Sequence, residues 1–270
     1  MSDAQNERRR GLLYGRRQSH PLSSRQQGLI DTLLPRLSIP LDPPPHPDPL
    51  PKGRGDTGGA CGAPSPPRGE GGGEGVHPAL DLARLFGPGI DDYAIEVGFG
   101  GGEHLVAQAR AHPSRGFIGC EPFLNGMAQI LLKIETEGLT NIRLHHGDAR
   151  DVLNRIPEGA LAAAYVLFPD PWPKKRHWKR RFIGPDTLPL LARAIRPGGT
   201  LRVASDIADY VRWSLIHIVP SGLFGWRARG PADWRVRPAD WPGTRYEAKA
   251  LKAGRVPAYL DFERTEAKAA

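Results

Sequence analysis

The sequence has few cysteines and no long apolar run, and each absence excludes a class of protein. Only Cys61 and Cys120 occur among the 270 residues, so we predict neither a disulfide framework nor a cysteine-rich metal site. So few cysteines are typical of a reducing compartment. The longest apolar run, at 160–168, is far shorter than the roughly 20 residues that cross a bilayer. Since the N-terminal residues lack the apolar core of a signal peptide, we expect a soluble, cytoplasmic protein without a membrane anchor.

The nine histidines also fail to form a metal-binding pattern. His145 and His146 are adjacent, so their side chains would point to opposite faces of a strand. We therefore predict no metal site. The sequence shows no self-complementary surface either, so a monomer is the default expectation and an oligomer stays open.

Positive charge, by contrast, is abundant. Lysine and arginine number 37 against 29 acidic residues, which gives a formal net charge of +8. Such an excess favours a polyanionic partner, and both nucleic acid and an acidic membrane surface meet that description. The choice between them depends on where the cations lie along the chain.

Residues 43–76 differ sharply in composition from the rest of the chain. Nine prolines and ten glycines occur in the stretch 43–75. Such a stretch cannot bury enough apolar surface to offset the entropy lost on ordering. We therefore predict a disordered insertion over 43–76. We interpret it as a neutral insertion, with a recruitment linker as the alternative.

Residues 1–42 combine a basic arm with an amphipathic patch. The patch contains Leu29, Ile30, Leu33 and Leu34, and this spacing predicts a short helix that docks on the main domain. The basic arm before it either contacts a polyanion or is a solvated tail.

From residue 77 to residue 264, short apolar runs alternate with segments of helical periodicity. The apolar runs include YAIEVGFG, RGFIGCEP and ALAAAYVLF, and helical segments such as FLNGMAQILLKIETEG separate them. This alternation is typical of a doubly wound parallel sheet with helices on both faces. We therefore predict one α/β domain over 77–264, followed by a short tail at 265–270.

A glycine-rich loop follows the first predicted strand of this domain, where AIEVG opens into GFGGGEHL. In an open parallel sheet, ligands bind at the carboxyl ends of the strands, and glycines let the backbone approach a ligand closely. A dinucleotide-binding G-x-G-x-x-G motif would need glycine where Glu103 stands, which makes a dehydrogenase the weakest interpretation. The acidic Glu96 beside the loop suits a cationic cofactor with an amino-acid head group, and S-adenosylmethionine is such a cofactor.

Acidic residues also end the next two predicted strands. Glu121 ends the second strand, where a carboxylate can accept hydrogen bonds from both ribose hydroxyls. Asp148, in HHGDA, ends the third strand, where it can accept a hydrogen bond from an adenine amino group. Three carboxylates at consecutive strand ends, beside a glycine loop, favour a nucleoside cofactor.

The segment FPDPWPKKRHWKRRF, at 168–182, follows the fourth predicted strand and lies beside the glycine loop. Proline on each side stiffens the backbone around Asp170, and Trp172 can offer a flat face to a nucleic-acid base. Six lysines and arginines follow, and each can neutralise a phosphate. A solvated charge run is the alternative, but an acid, an aromatic ring and cations at one cofactor rim favour a nucleic-acid substrate.

These motifs together resemble those of a known family. FPDPWPKKRHWKRR resembles the FPDPW-x-K-x-R-H-x-K-R-R signature of the bacterial tRNA (guanine-N7-)-methyltransferases, the TrmB family. EVGFGGGEHL is similar to that family's cofactor loop, ASDIADY to its later acidic motif, and TRYEAKALKAG to its T-[KR]-[FY]-E segment. The resemblance covers about 77–264, together with 11–41. The departures are small: Pro173 stands where histidine is common, and Arg245–Tyr246 where Lys–Phe is common.

The resemblance implies a fold and an activity. The implied fold is the Rossmann-like α/β fold of the class I S-adenosylmethionine-dependent methyltransferases, with a mostly parallel seven-stranded sheet and helices on both faces. The implied activity transfers a methyl group from S-adenosylmethionine to N7 of guanine in tRNA, at position 46 of the variable loop.

The roles of family residues carry over to the positions that match. Asp170 is the implied catalytic residue. The implied cofactor contacts are Glu96, Gly98, Gly100, Glu121, Asp148 and Asp170. The implied contacts to the guanine or its surroundings are Lys174, Asp206, Thr244, Arg245, Tyr246 and Glu247. The implied RNA contacts are Arg176, His177, Trp178, Lys179, Arg180 and Arg181.

Two alternatives stay open on the sequence. An amino methyltransferase that acts on adenine or cytosine uses an Asn/Asp-Pro-Pro-aromatic tetrad at the same strand end, but Trp172 here directly follows a single Asp-Pro. A non-catalytic RNA-binding protein could keep the fold without the chemistry, but the three cofactor carboxylates are all present. The methylated nucleoside would test the first alternative, and a cofactor-binding titration would test the second.

Overall fold

The structure of the protein, a computed structural model, describes residues 20–41 and 78–267. The predicted disordered insertion at 43–76 and the basic arm before residue 20 lie outside the described residues. The predicted boundaries of those two segments therefore stay predictions.

Within the described residues, seven strands form one sheet. The strands are β1 (Asp92–Val97), β2 (Arg115–Cys120), β3 (Ile142–His145), β4 (Leu161–Leu167), β5 (Ile195–Ser205), β6 (Phe224–Trp226) and β7 (Ala258–Arg264). The α-helices are α1 (Ser24–Thr32), α2 (Leu34–Leu37), α3 (Leu82–Phe86), α4 (Glu103–Ala111), α5 (Leu124–Glu137), α6 (Ala149–Leu153), α7 (Leu188–Ala194), α8 (Ala208–Ile218), α9 (Ala232–Arg235) and α10 (Arg245–Lys252). Two 3₁₀ helices span Lys175–Arg180 and Val219–Ser221.

The strand order across the sheet is β3-β2-β1-β4-β5-β7-β6. The first five strands in this order pair in parallel, whereas β7 pairs antiparallel with both β5 and β6. This arrangement confirms the predicted α/β fold with a mostly parallel seven-stranded sheet. The two antiparallel pairings lie at one edge of the sheet. Antiparallel neighbours, unlike parallel ones, need no crossover helix between them.

Helices cover both faces of the sheet. Successive strand residues point to opposite sides, so the apolar residues of one strand pack in two cores. On β1, Ala94 packs in a core with Leu105 of α4 and Met127 of α5. Its neighbour Ile95 packs in a second core, with residues such as Leu191 of α7 and Tyr210 of α8. Ile95 is fully buried, and burial of such a side chain stabilises the fold by about 1.5–3 kcal/mol.

The N-terminal helices dock at the β3 edge of the sheet. A capping box between Ser23 and Gln26 begins α1, and it satisfies two backbone donors that the first turn leaves free. Leu29 of α1 is buried in the core that also holds α5. After α2, the backbone N–H of Ile39 donates to Leu144 O of β3 at 3.0 Å. These contacts attach residues 20–41 to the main domain.

The sheet topology creates a crevice beside β1. That strand pairs with β2 on one side and with β4 on the other, so the order of the strands reverses there. In open α/β sheets, ligands bind outside the carboxyl ends of the strands at such a switch point. The loops after β1, β2 and β4 meet at this place.

None of the helices in the part of the chain that the structure describes has the length and apolar character needed to cross a membrane.

Candidate active site

A cavity of about 420 Å³ opens at the switch point. The loops that follow β1, β2, β3 and β4 all contribute to its walls, and Tyr246 of α10 completes them. The structure therefore brings together five of the six predicted cofactor residues. They are Gly98, Gly100, Glu121, Asp148 and Asp170.

The glycine loop and the helix packed on it need glycine for two physical reasons. Gly98 and Gly100 have φ angles of +69° and +58°, which side chains with a Cβ rarely adopt. Gly126 of α5 shows the second reason, because a Cβ there would collide with Gly100 O. The helix α5 therefore packs directly against the loop.

Glu121, at the end of β2, has a defined orientation. Its Oε2 accepts from the backbone N–H of Gly100 at 2.7 Å, and its Oε1 accepts from the N–H of Phe123 at 2.9 Å. Desolvation by burial raises the pKa of this carboxyl from near 4.5 to about 7, and the two backbone donors only partly oppose the rise. The charge of this cavity-lining carboxyl group therefore changes with pH near neutrality.

Asp148 also lines the cavity, but local contacts already engage both of its oxygens. Its Oδ1 accepts from Arg150 N at 2.9 Å, which caps α6, and its Oδ2 accepts from Arg150 Nη1 at 2.7 Å. The guanidinium of Arg150 lies 5.4 Å from the ring centroid of Phe182, and both residues face the cavity. Asp148 is therefore a helix cap and an ion-pair partner as well as a wall of the cavity.

Glu96 lies away from the cavity, in contrast to the contact that the sequence predicted. Its Oε2 is 2.7 Å from His104 Nδ1 of α4, and both side chains are buried. The His104 ring packs edge-on against Tyr165, with centroids 4.7 Å apart. Because β1 alternates its side chains between faces, Glu96 points into the layer below the loop. It connects β1 to α4 there.

The loop after β4 is strained on both sides of Asp170. Phe168 and Trp172 have φ angles of +51° and +42°, the two positive values of non-glycine residues in the described ranges. Such conformations cost of order 1–3 kcal/mol each and persist only where the surroundings enforce them. Asp170 is exposed at the cavity mouth, and partial desolvation by the walls raises the pKa of its carboxyl.

Arg181 binds the backbone of this loop from inside the protein. Its Nε donates to Pro171 O at 2.8 Å, its Nη2 donates to Trp172 O at 3.4 Å, and it forms an ion pair with Asp209. Its guanidinium lies 4.9 Å from the ring centroid of Trp213. Only 3 % of Arg181 is exposed. The prediction of an RNA contact for Arg181 is therefore corrected: the side chain is inside the protein, where it supports the loop.

The rest of the basic segment divides between the surface and the interior. The exposed cations are Lys174, Lys175, Arg176 and Lys179. Trp178 packs on Trp213, with centroids 5.3 Å apart, so this ring supports the segment from below. Arg180 covers the ring of Trp172 at 5.0 Å and lines the cavity. Desolvation and the neighbouring cations lower the pKa of His177, whose ring meets Trp172 edge-on.

The segment 244–247 forms the start of α10. Thr244 caps the helix by accepting from Glu247 N at 3.2 Å. Tyr246 lies over Gly100, since a Cβ on that glycine would fall 2.5 Å from Tyr246 Cε2. Arg245 donates to Gln129 Oε1 at 2.6 Å. Within this segment, Tyr246 alone lines the cavity.

Two buried or half-buried carboxylates hold α10 in place. Glu247 is buried and accepts from Tyr259 OH of β7 at 2.5 Å. Asp206, after β5, accepts from Arg255 Nε at 2.5 Å, just beyond the end of the helix. The structure thus places Glu247 and Asp206 as anchors of α10, and neither of them lines the cavity.

Sequence reasoning missed several residues of the cavity. Phe123, Arg150 and Phe182 line it, and Gly126 allows α5 to approach it. Phe182 is the final residue of the basic segment 168–182, but no motif indicated a role for it. Arg150 could have been found from the D-x-R spacing of a capping aspartate and a first-turn arginine.

Within residues 20–41 and 78–267, no group of three or more histidine, cysteine, aspartate or glutamate side chains is arranged to hold a metal ion.

The fold and the site define a class I methyltransferase. A family model described as "Putative methyltransferase" matches residues 91–258. The solved structure of the 16S rRNA methyltransferase KamB matches the fold with a TM-score of 0.50 at 19 % identity, and the match covers 69 % of this chain and 94 % of that one.

Curated relatives specify the family. The tRNA (guanine-N(7)-)-methyltransferase of Rhodospirillum rubrum is 49 % identical, over 93 % of this chain and 87 % of that protein. The protein of the same name from Rhodopseudomonas palustris strain BisA53 is 45 % identical, over 95 % of this chain and 90 % of its own length. This chain therefore belongs to the tRNA (guanine-N(7)-)-methyltransferase family.

Proposed function

We propose that this protein transfers a methyl group from S-adenosylmethionine to N7 of guanine in tRNA, at position 46 of the variable loop. One observation carries the proposal: a strained, buttressed loop holds Asp170 at the mouth of a nucleoside-sized cavity, next to exposed cations. The activity named for the relatives agrees with this geometry. Because tRNA is the proposed substrate, the cytoplasm is the proposed compartment.

The residues of the cavity fit S-adenosylmethionine. The volume of about 420 Å³ lies within the usual range of small-molecule sites. Glu121 is buried, oriented by two backbone donors and placed at the end of β2, where an acidic side chain can hold ribose hydroxyls. We propose that the loop glycines, Glu121 and Asp148 hold this cofactor, and that Glu96 supports them through His104. When bound, S-adenosylmethionine supplies the methyl group from its sulfonium centre.

Methylation of guanine N7 requires electrostatic stabilisation of the transition state and no proton transfer. Guanine N7 carries a lone pair and no proton, so its methylation needs no general base. Positive charge appears on the purine ring as the methyl group arrives, and a nearby carboxylate stabilises that charge more in the transition state than in the ground state. We propose that Asp170 provides this stabilisation. Two unit charges 4 Å apart interact by about 4 kcal/mol at an effective dielectric of 20, and only the part that grows during the reaction increases the rate.

The remaining predicted residues position the substrate. We propose that Tyr246 and Lys174 contact the guanine or its surroundings, because Tyr246 lines the cavity and Lys174 is exposed just after the Asp170 loop. Thr244, Glu247 and Asp206 act through α10, which they cap or anchor. Correct alignment of the base with the donor then supplies much of the acceleration.

Methyl transfer to an unmodified tRNA transcript tests the reaction and its position. We expect purified protein and S-adenosylmethionine to yield 7-methylguanosine, measured by mass spectrometry of the nucleosides. A transcript in which guanine 46 is replaced should yield none. Product that persists on the replaced transcript would contradict the position. A methylated adenosine or cytidine would instead indicate an amino methyltransferase, and cofactor binding without any product would favour the non-catalytic alternative.

The pKa of Glu121 predicts how cofactor binding depends on pH. The carboxylate accepts ribose hydrogen bonds better than the protonated acid does, and the pKa of about 7 means that protonation competes with binding below neutral pH. We therefore expect the affinity for S-adenosylmethionine to fall about tenfold from pH 8 to pH 6, measured by calorimetry. In Glu121→Gln the affinity should be lower at pH 8 and should lose this dependence. The same slope in both proteins would contradict the role of Glu121.

A further inference from the structure

The helix α10 carries a basic face that the cavity does not use. Glu247 and Ala250 of this helix are buried, whereas Arg245, Lys249 and Lys252 are exposed. The three cations follow the spacing i, i+4, i+7, which places them on one side of a helix. Since each residue adds 1.5 Å along the axis, the row is about 10 Å long.

This basic face lines a groove that adjoins the cavity. The groove has a volume of about 400 Å³, and it is lined by Arg245, Tyr246, Ala248, Lys249 and Lys252. Tyr246 also lines the main cavity. Tyr246 therefore separates the cavity from a cationic surface, and a strand whose guanine reaches Asp170 at the cavity mouth would pass close to that surface.

Two of the three cations have no ion-pair partner among the residues that the structure describes. Arg245 donates to Gln129, and Arg255 beyond the helix pairs with Asp206. For Lys249 and Lys252, no carboxylate lies within ion-pair distance in the described part of the chain. Both lysines lie in the last turn of the helix, where cations interact favourably with the helix dipole, and their charges are also available to a polyanion.

The groove and the basic 3₁₀ helix reach the cavity through different walls. One wall of the cavity is formed by Trp172 of the Asp170 loop and by Arg180 of the 3₁₀ helix that follows. Another wall is formed by Tyr246. A nucleotide whose base reaches the mouth of the cavity has backbone on both its 5′ and 3′ sides. Two cationic surfaces that meet at one cavity can hold both sides, and electrostatic contacts to phosphates are the main source of affinity for nucleic acids.

We infer that Lys249 and Lys252 form a second phosphate-contact surface, which holds the tRNA backbone on one side of the reacting guanine while Lys175, Arg176 and Lys179 hold it on the other. This inference rests on the proposed function for the identity of the polyanion. It adds two residues and a groove to the RNA contacts that the family motif implies.

The test is the salt dependence of tRNA binding by the full-length protein. Each phosphate contact contributes about −0.7 to the slope of log K against log salt on a single strand and about −0.9 on a duplex. We expect Lys249→Gln combined with Lys252→Gln to make the slope shallower by about 1.4–1.8. We also expect the Kd for an unmodified tRNA transcript to rise at least tenfold at 50 mM salt. The variant Lys249→Arg with Lys252→Arg should keep both values.

A matched control removes the same charge elsewhere. Arg36 and Arg84 are exposed, and neither lines the cavity or the groove. Arg36→Gln with Arg84→Gln should keep the wild-type slope and turnover. The inference is overturned if the slope of the lysine variant equals that of this control. Cofactor affinity, measured for each variant, shows that the domain is folded. Methylation by the wild-type protein is scored separately, so failure of the proposed reaction and failure of the proposed surface give different results.

Discussion

Asp170→Asn should lower kcat for tRNA methylation by about 10²–10³-fold, which is the usual loss when one preorganised transition-state contact is removed. The amide has nearly the same shape as the carboxylate, so the strained loop should keep its conformation. The variant loses the negative charge that, in the proposed reaction, stabilises the positive charge developing on the guanine. Single-turnover kinetics at saturating tRNA and S-adenosylmethionine would measure the loss in the chemical step.

The affinity for tRNA separates this role from a binding role. We expect the Kd of Asp170→Asn for tRNA to stay within about threefold of wild type, because we propose that the exposed cations, and not this carboxylate, contact the phosphates. Glu158→Gln is the matched control, since Glu158 is an exposed acid in the loop before β4 and does not line the cavity. A turnover number for Asp170→Asn close to that of the control would contradict electrostatic catalysis by Asp170.

Arg181→Ala should destabilise the protein by about 3 kcal/mol, because it leaves Pro171 O, Trp172 O and Asp209 without their buried donor. For a domain of this size, that loss corresponds to a fall in Tm of about 6–12 °C. Turnover should fall as well, since the loop that carries Asp170 would relax from its strained backbone. Thermal unfolding followed by circular dichroism measures the first effect.

Arg176→Ala provides the comparison within the same basic segment. Arg176 is exposed, and surface substitutions usually change stability by no more than about 0.5 kcal/mol. This variant should keep its Tm but bind tRNA more weakly, with a shallower salt dependence. If Arg181→Ala kept its Tm and behaved like Arg176→Ala, Arg181 would be an RNA contact after all. The two arginines would then have the same role.

The sequence predicted the fold well because the fold depends on repeating local patterns. Alternating apolar runs and helical segments indicated the parallel sheet, and the order of those segments placed the ends of β1, β2, β3 and β4 at one rim. The glycine loop, Glu121 and Asp170 could be found for the same reason, since each directly follows a strand. Their presence around one cavity follows from topology, which the strand order alone largely determines.

The direction of individual side chains was harder to predict. Glu96 precedes the glycine loop in sequence, but the alternation along β1 turns it towards His104 and away from the cavity. Asp148 was predicted as an adenine contact, and the structure shows that it also caps α6 and pairs with Arg150. A sequence motif identifies which residues lie near a site, but packing decides which of them face it.

The sequence by itself determined the class of fold, the position of the cofactor rim and the choice of a polyanionic substrate, because strand ends, glycines and charge runs are local features. Only the tertiary structure decided which cations are exposed and therefore available to a polyanion. Arg181 and Arg176 stand in one basic run, yet one is buried against Trp213 and the other is exposed. Lys249 and Lys252 lie far away in sequence, yet they line a groove that shares Tyr246 with the cavity. Long-range packing sets these positions, and no local pattern of residues encodes it.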